Sequence, residues 1–255
     1  MTVLKIEGLT QHFSGLCALS DFNVQVGKQE LVGLIGPNGA GKTTVFNVVS
    51  GFYQPTRGTI TFFDQPIAGL KPHQVTTYGI ARTFQNIRLW NELTVLENIS
   101  LAQHGTLNYG MMDLFFRTRR YQQREREIRD LALELLEIFK LSPFAGEKPK
   151  NLPYGLQRKV EIARALSSRP QLLLLDEPAA GLNSKDIFEL IDLIQWIFEE
   201  FDLSIWMIEH QMKVVMSLCS RITVIDFGET IAEGTPEEIQ NNPEVIKAYL
   251  GDDLI

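Results

Sequence analysis

The sequence is poor in cysteine, has no long apolar run and carries no excess of basic charge. Cys17 and Cys219 are the two cysteines in 255 residues, which excludes a disulfide-stapled secreted scaffold and favours a reducing compartment. No stretch approaches 18 uninterrupted apolar residues, so no segment is expected to span a bilayer. Met1-Thr2-Val3-Leu4-Lys5-Ile6-Glu7 lacks the apolar block of a signal peptide. The expectation is a protein kept in the cytoplasm, where a membrane partner can still hold it. Lys and Arg number 24 against 31 Asp and Glu, a net charge of −7. That balance argues against a general nucleic-acid binder, which needs a basic surface to neutralise phosphates. The sequence has no internal repeat and no low-complexity segment. With 44% hydrophobic and 22% charged residues, it fits a globular chain of one or two domains with a full core.

The first 35 residues read as strands at Val3–Ile6, Phe22–Val26 and Gln29–Ile35, with a turn at Gly27-Lys28. Leu31-Val32-Gly33-Leu34-Ile35 shows no polar alternation, the pattern of a parallel strand buried on both faces. A glycine-rich loop follows, then a helix over Thr43–Ser50. A hairpin-like region spans Gly58–Asp64. Thr94 and Glu97 form a capping box that opens a helix. Ile128, Leu131, Ala132, Leu135 and Phe139 place one apolar face on a long helix starting near Thr118. Strand signals return at Leu172–Leu175, Leu203–Ile208, Arg221–Ile225 and Thr230–Ala232, with a helical stripe over Ile187–Phe198 between the first two. Thr235-Pro236-Glu237-Glu238 caps a last helix. The layout is an α/β core interrupted by a helical block between roughly 87 and 160.

Gly36-Pro37-Asn38-Gly39-Ala40-Gly41-Lys42-Thr43, followed by Thr44, fits G-x-x-x-x-G-K-[ST] in full. A triphosphate must be wrapped by backbone N–H groups at close range, so Cβ atoms hinder at the tight points. The helix start adds its own donors and positive end. Lys42 supplies a charge for the β- and γ-phosphates and Thr43 a hydroxyl for Mg²⁺. Leu172-Leu173-Leu174-Leu175-Asp176-Glu177 is a buried strand ending in two carboxylates. Beside a phosphate loop, Asp176 is placed to hold Mg²⁺, and Glu177 to polarise the attacking water.

With those elements the chain resembles the ATP-binding subunits of ABC transporters. Leu152-Pro153-Tyr154-Gly155-Leu156-Gln157 looks like the family's signature segment, Arg82-Thr83-Phe84-Gln85 like its Q-loop and Ala180-Gly181-Leu182-Asn183 like its D-loop. The resemblance implies an α/β fold: a P-loop NTPase core of the ABC ATPase kind over 1–86 and 167–255, with an N-terminal antiparallel β subdomain, and an inserted α-helical subdomain over 87–166. It implies that Phe13 stacks on adenine, that Gln85 joins Thr43 and Asp176 at Mg²⁺, and that His210 senses the γ-phosphate. It also implies that Pro153, Tyr154, Gly155 and Leu156 meet ATP bound to a second homologous ATPase subunit. Two transmembrane permease subunits would turn closure of that pair into transport.

The departures carry information. Pro153-Tyr154-Gly155-Leu156 stands where Ser-Gly-Gly-Gln is usual, Asn183 replaces an aspartate, and Gln211 follows the histidine where an aspartate is common. They point to a heterodimer with two unequal ATP sites. The Tyr-Gly pair, Ala-Ala-Gly-Leu-Asn, Ile-Glu-His and the ending through Ala248-Tyr249-Leu250-Gly251 resemble the LivG-type ATPases of high-affinity branched-chain and neutral amino-acid importers. A place on the cytoplasmic face of the inner membrane, a distinct second ATPase and, indirectly, a substrate-binding protein are implied. ATPases of urea or amide importers, and soluble ABC ATPases of the iron–sulfur assembly type, remain alternatives. The arginines from Arg117 to Arg129 read as lipid contacts or as a solvated mixed-charge helix. Ile87, Leu89, Trp90 and Leu93 read as a permease groove or as local packing.

Overall fold

Two strands open the chain, β1 (Thr2–Phe13) and β2 (Leu16–Gly27), paired antiparallel. Ser14 at φ 45° and Gly15 at φ 104° close the hairpin, a tight turn whose twist matches that of the strands. Both strands run well beyond the segments expected at Val3–Ile6 and Phe22–Val26. The pairing shifts register at Ile6/Leu9 and again at Leu9/Gln11, and Gly8 and Asp21 take positive φ. Each irregularity interrupts the period-two alternation that marks a strand. β4 (Arg57–Phe62) pairs with β1, and the short β5 (Gln65–Pro66) with β4.

The computed structural model describes residues 1–106 and 111–250. Part of the inserted region, 107–110, and Gly251 of the expected C-terminal motif therefore lie outside the described residues. Among the described residues a second sheet has the order β10-β9-β3-β8-β7-β6. Its strands are β3 (Leu31–Ile35), β6 (Ile80–Arg82), β7 (Leu172–Asp176), β8 (Ser204–Ile208), β9 (Arg221–Asp226) and β10 (Glu229–Gly234). β9, β3, β8, β7 and β6 run parallel, and β10 returns antiparallel on β9. Every residue of β3, β7 and β8 is buried, as their unbroken apolar runs require. Helix α1 (Lys42–Val49) lays Phe46 against Trp206 of β8, ring centroids 5.0 Å apart. Burying a side chain such as Phe46 is worth about 1.5–3 kcal/mol. α2 (Pro72–Thr77) precedes β6.

The chain divides into two units, Met1–Gln85 with Gln171–Ile255, and Asn86–Pro170. The second contains α3 (Val95–Ala102), α4 (Met111–Phe116), α5 (Arg119–Ile138) and α6 (Tyr154–Ser167). Thr94 caps α3, exchanging hydrogen bonds with Glu97. α5 buries Ile128, Ala132, Leu135 and Leu136 along the expected face, where α3, α5 and α6 pack together. The first unit ends with α7 (Ser184–Glu200), α8 (Met212–Leu218), α9 (Pro236–Gln240) and α10 (Pro243–Leu250). Thr235 caps α9 with Glu238 as its box partner. No helix among the described residues is long and apolar enough to cross a membrane.

Candidate nucleotide site

β3 delivers the chain into the phosphate loop. At Gly36 a Cβ would stand 2.0 Å from the Ile225 carbonyl oxygen of β9, so the strand neighbour admits only glycine. Gly41, left-handed at φ 109°, is the N-cap of α1. The Ala40 N–H donates to the Pro37 carbonyl at 3.2 Å, and the Ala40 carbonyl accepts from Gly228 at 2.9 Å. The β9–β10 turn thus buttresses the loop and leaves Phe227 88% exposed beside it. Lys42 is buried, and its Nζ donates to the carbonyls of Gly36 (2.7 Å) and Pro37 (2.8 Å). Burial holds the Lys42 pKa below its ordinary value, while the charges of Glu177 and Asp176 pull it back up.

At the end of β7 the chain turns sharply. Glu177 takes φ 48°, a left-handed conformation that is strained for a residue with a side chain. Its N–H donates to the Ile208 carbonyl at 2.9 Å. Both carboxylate oxygens are engaged: Gln85 Nε2 donates to Oε2 at 2.7 Å, and His210 Nε2 meets Oε1 at 2.5 Å. One residue back, Asp176 Oδ2 is bound by Arg82 Nη2 at 2.7 Å. A cavity of about 540 Å³ brings Phe13, Gln85, Glu177 and His210 together with Asn38, Gly39, Gly41, Lys42, Thr43 and Thr44 of the loop. Phe13 closes one side with its ring edge-on to Tyr53, centroids 5.1 Å apart.

The contacts of three residues at the site escape a reading of the sequence. Glu209 is buried beside His210 and accepts from the backbone N–H groups of Ala179 (2.7 Å), His210 (2.9 Å) and Gln211 (3.1 Å). It ties the segment after Glu177 to the one that carries the histidine. Burial pushes its pKa up, the three donors oppose that, and the Glu177 charge adds to it. Arg82 and Phe227 are the other two. Ile-Glu-His and the Q-loop segment that begins at Arg82 stand out in the sequence, but nothing local in them gives the partners.

A family model described as ABC transporter matches residues 19–180, a stretch that includes the phosphate loop, Gln85, Asp176 and Glu177. The chain belongs to the ABC transporter ATP-binding proteins. A second model, described as branched-chain amino acid ATP-binding cassette transporter, matches residues 229–254 of this ABC protein. Within that stretch α10 carries Tyr249, whose pKa burial pushes up while the Gly36 backbone of the phosphate loop opposes that. The chain is 47% identical over 250 residues to the high-affinity branched-chain amino acid transport ATP-binding protein BraF of Pseudomonas aeruginosa, covering 98% of each. It is 46% identical to LivG of Escherichia coli K12, again over 98% of each. A nucleotide-free ATP-binding cassette from an ABC transporter superposes with a TM-score of 0.86 at 31% identity, covering 99% of this chain and 100% of that one. A dimeric cassette in a post-hydrolysis state with ADP and Pi gives 0.76 at 28%, covering 91% and 98%.

In this ABC ATP-binding chain the signature segment opens α6. Pro153 is the N-cap and its side chain makes no capping bond. The half-exposed Tyr154 accepts at its hydroxyl from Arg158 Nη2 at 3.2 Å, and Arg158 pairs with the fully buried Glu161 at 2.7 Å. Gly155 and Leu156 continue the first turn, the Leu156 N–H donating to the Pro153 carbonyl at 3.0 Å. Asn183 caps α7: its Oδ1 accepts from the backbone of Lys185 and Asp186, both at 3.0 Å. A helix cap is therefore part of what the asparagine does. The arginines of the insert are exposed, and Arg124 pairs with Glu127. Trp90 is 48% exposed and carries Arg164 over its ring at 5.1 Å.

Proposed function

We propose that this chain is the ATP-binding and ATP-hydrolysing subunit of an importer of branched-chain or other neutral amino acids, held at the cytoplasmic face of the inner membrane by two permease subunits. The observation that carries the reading is Glu177, held between Gln85 and His210 at the wall of the cavity that Lys42 and Thr43 also line. The names of the relatives and the C-terminal match support the amino-acid assignment.

The chemistry follows from the contacts. Lys42 is parked on two carbonyls of its own loop, so incoming phosphates draw its Nζ away from Gly36 and Pro37. The N–H groups at the start of α1 then meet the phosphates with the helix's positive end. Thr43 Oγ1, Gln85 Oε1 and Asp176 are hard oxygen donors suited to Mg²⁺. Mg²⁺ dehydrates reluctantly, so a site of this kind leaves it several waters and the substrate phosphates as ligands. Held by those residues, Mg²⁺ would supply positive charge against the phosphates. Glu177 orients and deprotonates the attacking water once Gln85 or His210 releases one of its oxygens. His210 then donates to the γ-phosphate, and Phe13 offers its ring to the base.

The mate is a different ATPase subunit with a fuller signature, since Pro153 brings neither a hydroxyl nor a backbone N–H to a neighbour's phosphate. Trp90 and its apolar neighbours Ile87, Leu89 and Leu93 offer the permeases a surface, and a substrate-binding protein selects the solute. The test uses vesicles holding this chain, its partner ATPase and the permease pair, supplied with the binding protein and labelled leucine. ATP-dependent uptake is expected. Uptake of no neutral amino acid would contradict the import reading. Replacing Glu177, and separately the partner's equivalent, checks the inequality: unequal losses of ATPase activity are expected, and equal losses contradict it.

A further inference from the structure

Arg82 sits at the end of β6 and is anchored from several sides. Its Nη2 binds Asp176 Oδ2 at 2.7 Å. Its Nη1 reaches Asn47 Oδ1 at 2.9 Å and Ser50 Oγ at 3.3 Å, at the far end of the phosphate-loop helix. The guanidinium also lies over three rings, Phe84 at 4.9 Å, Phe46 at 5.5 Å and Phe52 at 5.9 Å. The ion pair is dry, with side chains 6% and 4% exposed. Fold stability alone is a poor reason for such a pair, because well-packed apolar residues do as well or better in its place. What singles it out is the partner, the carboxylate assigned to the metal.

We propose that Arg82 is a positioning residue that takes the place of the divalent cation at Asp176 in the nucleotide-free chain, so that the metal enters with the nucleotide and not ahead of it. The inference rests on the reading of Asp176 as a metal-holding residue. Asp176 and Glu177 are adjacent carboxylates at the end of β7, an arrangement that by itself attracts a divalent ion. Arg82 answers the first charge through Nη2, while Asn47 and Ser50 hold its Nη1. Gln85 and His210 occupy the second carboxylate, and Lys42 adds a further positive charge that both acids feel. A cation therefore gains little until the phosphates supply the missing negative charge. Thr83 keeps the register of the device: its N–H donates to the Leu174 carbonyl at 3.0 Å, and its hydroxyl accepts from the Asp176 N–H at 3.3 Å.

The test is Mn²⁺ binding to the full chain without nucleotide, followed by electron paramagnetic resonance, with Mg²⁺ as competitor. Arg82→Gln keeps a donor for Asp176 and removes the charge. It is expected to bind Mn²⁺ at least about tenfold more tightly than wild type. Arg82→Lys, which keeps the charge, is expected to stay near wild type, and adding Asp176→Asn to Arg82→Gln should cancel the gain. Should Arg82→Gln fail to fold, Asn47→Asp leaves the arginine in place but sets a competing carboxylate at its Nη1. A gain of at least about threefold is expected there. No gain in the folded variants, or a gain that survives Asp176→Asn, overturns the proposal. The underlying reading is checked separately with Mn²⁺ and ATP together. If Asp176→Asn leaves that bound-metal spectrum unchanged, the assignment of Asp176 fails. If it changes the spectrum while the Arg82 and Asn47 variants stay silent, the role of Arg82 alone falls.

Discussion

Replacing Gly36 by alanine separates the fold requirement of the phosphate loop from its chemistry. The new Cβ would lie 2.0 Å from the Ile225 carbonyl oxygen, 3.1 Å from that carbonyl carbon and 3.2 Å from Ile225 Cγ2. Two of the three are backbone atoms of β9, which is paired to β3 at Ile35↔Val224. No rotamer change relieves the clash, and either strand end must shift by about 1 Å to reach the 3.0 Å floor for real Cβ atoms. Overpacking of that kind costs about 3 kcal/mol at the upper end, or about 6–12 °C in unfolding midpoint for a chain of this size. Gly39→Ala is the control. Nothing lies within 4 Å of its Cβ, so it carries only the strain of φ 83°, about 1–2 kcal/mol. Urea and thermal unfolding are to be read beside binding of a fluorescent ATP analogue. Gly36→Ala should lose stability and binding, and Gly39→Ala should lose binding with a smaller loss of stability. If Gly36→Ala unfolds no earlier than Gly39→Ala, the close approach of β9 is not what demands glycine at this position.

Further outcomes follow from other contacts. Asn183→Ala removes two bonds to the start of α7 and should cost about 1 kcal/mol in urea unfolding; no loss would mean that the cap contributes nothing. Glu209 has a raised pKa, so the folded chain binds its proton more tightly than the unfolded chain. Its contribution is therefore full below the ordinary carboxylate value of 4.5 and is lost as pH rises through the raised one. Glu209→Gln should gain stability relative to wild type as pH climbs through that window, and a pH-independent difference would contradict it. Trp90→Ala should shift stability by less than about 1 kcal/mol, in keeping with a half-exposed site, yet weaken co-purification with the permeases; undiminished recovery would remove Trp90 from that surface.

Much of the architecture is legible in the sequence because its causes are local. The capping pairs Thr94–Glu97 and Thr235–Glu238 span three residues, and the apolar runs of β3, β7 and β8 announce strands buried on both faces. The phosphate loop shows itself through its glycines, its lysine and the strand and helix on either side. What stays hidden depends on distant partners. β1 and β2 read short because bulges break their alternation. β6 is three residues long and becomes a strand only by pairing with β7. Arg82 finds Asp176 across 94 positions, and Glu209 works through backbone N–H groups that no side-chain pattern marks. Asn183 reads as a changed D-loop residue, whereas its bonds at the start of α7 make it a helix cap as well.

The central claim is that Glu177 prepares the water that cleaves ATP at a site this chain shares with a mate. The measurement that tests it most directly is single-turnover ATP hydrolysis by the assembled transporter carrying Glu177→Gln, with bound nucleotide counted in the same sample. The account predicts nucleotide bound as in wild type and cleavage slowed at least about a hundredfold. Cleavage at the wild-type rate with nucleotide in place would contradict it.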